Sequence, residues 1–167
     1  MTNKIDVSRI LRDHLATLKD YSTGRYQLSD FALFFGTPLV VAGLLTYFRG
    51  IMSETTSLIL ATSLSLFAAL LFNLLLLVYD NVRKEQKRED GKTLRADFLR
   101  QIYSNISFSI FIAILAVILL VVTSWDIGVC EIKHALTFIT YYLTTLFVLT
   151  LLMILKRVHV LLSKEFE

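Results

Sequence analysis

Cysteine, proline and glycine are scarce in this chain: one, one and six among 167 residues. The lone Cys130 cannot close an internal disulfide. That excludes the four-helix, quinone-linked thiol oxidases of membranes, which need paired cysteines, and leaves Cys130 as an intersubunit bridge or a bystander. The single proline stands in Gly36-Thr37-Pro38. Proline removes a helix hydrogen bond and crowds the preceding turn, so Gly36 and Pro38 mark an expected kink, either a hinge or a static bend.

Charge is missing altogether from four long stretches. Phe31–Phe48 holds 18 residues without Asp, Glu, Lys or Arg, Thr55–Tyr79 holds 25, Gln101–Trp125 holds 25 and His134–Leu155 holds 22. A hydrocarbon core about 30 Å thick needs roughly 20 helical residues, so each stretch is long enough to span. No span has a charge near its centre, which argues against proton-coupled exporters and voltage sensors, both built on intramembrane charges. Paired acids, metal-ligand spacing, a nucleophile elbow and phosphate-binding glycine loops are absent too, so no catalytic residue, metal or cofactor is expected and the chain is not read as an enzyme.

What is there is hydrophobic and sorted by charge. The apolar share is 55% and the mean hydropathy +0.63. Four passes through a bilayer put segments 1–30, 80–100 and 156–167 on one face with 15 of the 17 Lys and Arg, leaving Arg49 and Lys133 on the other. The positive-inside rule makes the first face cytoplasmic, with both termini inside. Eleven of the 14 acidic residues share that face, so the basic balance is an orientation signal and no direct nucleic-acid binding is expected.

The fold predicted is all-α and polytopic, with four transmembrane helices. It divides into a cytoplasmic amphipathic segment 1–30, a transmembrane domain 31–155 with a cytoplasmic hairpin 80–100, and a tail 156–167. Asn3–Asp20 reads as an amphipathic helix with Val7, Ile10, Leu11, Leu15 and Leu18 on its apolar stripe. The short Arg49–Glu54 connection predicts that spans one and two are antiparallel neighbours. Spans two, three and four are expected to continue as helix into the cytosol, with a turn at Asp90-Gly91. The hairpin offers Arg83, Lys84, Lys87, Arg88, Lys92 and Arg95 as a surface for a cytosolic partner.

Asn73 is the strongest polar residue at membrane depth. It ends a series of four-residue steps, Ser57, Ala61, Ser65, Ala69, Asn73, and span three offers Asn105, Ser109 and Ala113 as a counterpart. Small residues at this spacing allow close helix approach, and Asn bonds across the contact. Packing within one chain, self-association and a polar pore lining all fit. Hydroxyl-rich span four, with Thr140, Thr144 and Thr145, fits a wet cavity or bonding of each Thr to its own helix. His14, His134 and His159 do not converge in sequence; Arg9 and His14 fit a loose ribonuclease spacing that any charged helix produces.

Ser29-Asp30-Phe31, Gly36-Thr37-Pro38, Tyr79-Asp80, Asn105-Ile106-Ser107-Phe108 and Leu155-Lys156-Arg157-Val158 sit at the borders of the spans. With these motifs the layout resembles the small four-helix membrane subunits of bacterial anti-phage systems, such as the Kiwa membrane subunits. The resemblance implies an inner-membrane homo-oligomer with a cytosolic protein partner that senses infection or executes the response. The preferred function is accordingly a multi-pass inner-membrane defence subunit that oligomerises and either docks or signals to that partner or perturbs the membrane. The alternatives are a small ion channel or pore, and a transporter of an uncharged or hydrophobic solute.

Overall fold

The computed structural model describes residues 7–17, 32–86, 94–125 and 130–163, with side chains throughout except at 85–86, 94–97 and 161–162. These residues form five α-helices: α1 (Ser8–Ala16), α2 (Thr37–Arg49), α3 (Glu54–Gln86), α4 (Leu94–Thr123) and α5 (Cys130–Ser163). A π-helical turn, Ala32–Gly36, leads into α2. Four segments, Ala32–Arg49, Glu54–Lys84, Phe98–Thr123 and Cys130–Val160, are long and apolar enough to cross a membrane. At 1.5 Å per residue, α3 and α5 each reach about 50 Å, well beyond the hydrocarbon thickness. Helix therefore runs on past the last uncharged residues of α3 and α5, and α4 starts before its uncharged run, as the continuing charge-and-apolar pattern predicts. The Asp90-Gly91 turn lies outside the described residues.

The helices stand in an open row, α2–α5–α4–α3. α4 and α5 are central, while α2 packs on α5 and α3 on α4. α2 and α3 do not pack on each other, which corrects the expectation that spans one and two are neighbours. A short connection brings helix ends together without obliging the helices to pair. Here the connection is drawn to α5, where the Met52 amide donates to Thr137 Oγ1 at 3.4 Å. Gly50 makes the turn with φ 66° and ψ −142°, the only positive φ among the described residues.

Buried residues recur at heptad spacing on both α3 and α4, which pack on each other. On α3 the buried residues are Ser57, Leu64, Leu71 and Val78, seven apart. On α4 they are Leu99, Ile102, Ile106, Ser109, Ala113, Ala116 and Leu120, alternately three and four apart. That spacing keeps one seam facing a partner along the whole contact. A second buried set on α4, Asn105, Phe108 and Ile112, turns elsewhere, so α4 is covered on two sides. Phe67 of α3 also reaches Phe147 of α5, with ring centroids 6.2 Å apart.

The irregularity predicted at Gly36 and Pro38 takes the form of a change of helix type. The π-helical turn ends at Gly36, and Pro38 is the second residue of α2, where a missing N–H breaks no α-helical bond.

Candidate functional site

α1 packs on α4 towards the end of the bundle that carries Arg83, Arg100 and Arg157, its basic end. The face it presents combines part of the apolar stripe with His14. His14 and Thr17 are buried and Ile10 half-buried, whereas Val7 is 36% and Leu11 40% exposed. Of the stripe read from the sequence, Ile10 and Leu15 are half-buried against the core, Val7 and Leu11 stay exposed, and Leu18 lies outside the described residues. His14 joins these apolar residues because α4 offers an aromatic ring and an amide at this level, and its imidazole meets both.

The His14 ring stacks on Phe108, centroids 3.8 Å apart and 5° from parallel, with Phe34 tilted against it at 5.4 Å. His14 Nδ1 lies 2.9 Å from Asn105 Oδ1. Thr17 Oγ1 donates to the same oxygen at 2.9 Å and to the His14 carbonyl at 2.7 Å, sharing one proton between two acceptors. From α5, Arg157 donates through Nη1 to Gln101 Oε1 at 2.9 Å and through Nη2 to the Thr17 carbonyl at 2.8 Å. A cation thus closes the C-terminal end of α1, where the helix carbonyls lack partners and the dipole favours positive charge. Asn105 and Arg157 together join α1, α4 and α5.

The network assigns protonation states. Asn105 Oδ1 is an acceptor, so Nδ1 of His14 carries the proton and Nε2 bears a lone pair. Burial pushes the His14 pKa down to about 4; the bond to Asn105 pulls it up and the Arg157 charge lowers it further. His14 is neutral at neutral pH. Four buried polar atoms near this level, His14 Nε2, Asn105 Nδ2, Ser104 Oγ and Ser109 Oγ, have no hydrogen-bond partner among the described residues. Each such group costs about 1–3 kcal/mol.

The residues singled out by sequence separate into two sets. Asn105, Ser109 and Ala113 are fully buried within the chain. The α3 series divides: Ser57 is buried and Ala61 half-buried, while Ser65, Ala69 and Asn73 face outward. Each four-residue step turns about 40° past a full helical turn, so such a series sweeps around the helix instead of holding one face. The Asn73 amide meets no partner among the described residues. Gly36 and Gly43 mark no close helix approach, since a Cβ at either would meet nothing within 4 Å. Thr140, Thr145 and Thr150 donate to carbonyls of their own helix, Leu136, Tyr141 and Leu146.

Of the partner surface, Arg83 and Lys84 are exposed on the last turns of α3. Lys87, Arg88 and Lys92 lie outside the described residues, and only the helical backbone is described at Arg95. Sequence reasoning missed His14, Thr17, Gln101 and Arg157 as a group. His14 is 91 residues from Asn105 and Arg157 is 140 from Thr17, so only the fold brings them together. The one signal present was a histidine on α1, with a threonine directly after its last residue. Among known protein families, curated proteins and solved structures, none matches this chain.

Proposed function

We propose that the chain is a multi-pass subunit of the bacterial inner membrane, of the anti-phage defence kind, with both termini cytoplasmic. It assembles with copies of itself and passes a signal to a cytosolic protein through its basic end. The observation that carries this reading is the seat of α1. An element outside the four apolar segments is tied by buried hydrogen bonds to α4 and α5, so a change in how the spans pack changes whether α1 is held. The outward Asn73 supports self-association, because an amide facing hydrocarbon gains a partner when a second helix covers it.

Expression in bacteria, together with the flanking genes, tests the reading. The wild-type chain lowers phage plaque numbers, and Asn105→Leu loses that protection while reaching the membrane at wild-type level. Protection unaffected by Asn105→Leu removes the relay; no protection from the wild-type chain removes the defence role.

A pore between subunits is the second reading, favoured by the outward Ser65 and Asn73. It requires conductance in planar bilayers that changes in Asn73→Leu. Silence of the wild-type chain under all potentials removes it.

A further inference from the structure

At the basic end, α3 and α4 leave between them a cleft of about 430 Å³, lined by Tyr79, Val82 and Arg83 from α3 and by Arg100 and Tyr103 from α4. We propose that this cleft binds a phosphate group, delivered either as the headgroup of an anionic phospholipid or as a soluble phosphate ester. The inference goes beyond the relay and does not depend on it.

The charge is the first support. Two arginines from different helices line one small space, and neither forms an ion pair among the described residues. Asp80, exposed one turn before Arg83, makes none either. Two like charges held at one cleft repel, and an anion between them relieves this. Guanidinium forks match phosphate oxygens in pairs, which gives the match geometry as well as charge.

Depth is the second. Tyr79 is the last residue of one uncharged run and Tyr103 the third of the next. Arg83 stands one turn beyond the first run and Arg100 one residue before the second. In a bilayer this is headgroup level, where tyrosine rings anchor and arginine meets phosphate. The tyrosine rings, 6.5 Å apart and inclined at 44°, give the cleft apolar sides with hydroxyl tips, and Val82 adds an apolar wall. The volume exceeds that of a bare phosphate and accommodates the glycerol ester behind it.

The full chain is reconstituted in nanodiscs of phosphatidylcholine alone or mixed with phosphatidylglycerol, and native mass spectrometry counts the lipids it retains. In a second arm, glycerol phosphate and inorganic phosphate are titrated calorimetrically into lipid-stripped protein. Retention of phosphatidylglycerol over phosphatidylcholine, falling about tenfold in Arg83→Gln/Arg100→Gln, supports the site with lipid as source. Phosphate or glycerol phosphate binding that the same double variant abolishes, without lipid retention, supports it with a soluble source. Arg83→Lys/Arg100→Lys keeps the charge and loses the fork, and is to bind with intermediate strength. Both Arg side chains are exposed, so the variants should elute and melt as wild type, and Arg9→Gln on α1 serves as the charge control. No binding of any of the three probes, or binding that the double variant leaves unchanged, overturns the proposal.

Discussion

The imidazole of His14 lies flat on the phenyl ring of Phe108, 3.8 Å away between centroids, while its Nδ1 reaches Asn105. One residue of α4 offers a face and another, three positions earlier, an acceptor. The two interactions separate cleanly by substitution, because one needs only a flat ring and the other a nitrogen.

His14→Phe keeps the ring on Phe108 and loses one hydrogen bond, while Thr17 still donates to Asn105. It should weaken the seating of α1 by about 1 kcal/mol. His14→Ala loses the ring and its burial together, at about 3 kcal/mol. Hydrogen exchange of the α1 amides, read as an opening free energy, gives both values. Equal effects of the two substitutions would mean that the stack contributes nothing.

Acid should release α1. The folded-state pKa of His14 is lowered to about 4 from the ordinary 6.5, so the unseated state binds more protons between those values. Seating is fully present above about pH 6.5 and weakens as pH falls toward 4, by up to about 1.4 kcal/mol per unit and about 3 in all. Below pH 4 the dependence levels off. The same titration of His14→Phe provides the baseline and should lack this contribution; identical curves would place the acid sensitivity elsewhere.

Ala113→Leu should disturb the bundle and not α1 alone. Ala113 and Ala116 are fully buried at the centre of the α4 heptad, so three extra carbons have no space. Overpacking of this kind costs about 1–3 kcal/mol, read as a lower melting temperature in detergent. Ala135→Leu, at an exposed position of α5, is the control expected to leave the melting temperature unchanged.

Gly50→Ala should destabilise through backbone conformation alone. At φ 66° and ψ −142° a side chain is strained, yet a Cβ there meets nothing within 4 Å. A cost of about 1–3 kcal/mol is expected. Gly43→Ala, in a helix and also without neighbours at its Cβ, should be neutral or slightly stabilising by the same melting assay.

The four apolar helices were legible because hydrocarbon tolerates few charges, and a run of 25 residues without one has few other uses. Their order in space was not. The Gly50–Ser53 connection looks the same whether α2 folds back on α3 or turns to α5, and the Met52–Thr137 bond that ties it to α5 joins residues 85 apart. The series from Ser57 to Asn73 does not hold one face of α3, because a four-residue step resembles a helix face over two turns and drifts from it over the full series. The seat of α1 was hidden for a different reason. His14 reads as a charged surface residue until burial makes it neutral and Phe108 covers its face.

The most direct measurement is hydrogen exchange of the full chain in nanodiscs at neutral pH, wild type against Asn105→Leu. A nine-residue helix is too short to protect its amides alone, so protection over Ser8–Ala16 reports docking. The account predicts protected α1 amides in the wild type, fast exchange in Asn105→Leu, and unchanged protection across α3, α4 and α5 in both. Wild-type α1 amides exchanging as fast as a free peptide would contradict it.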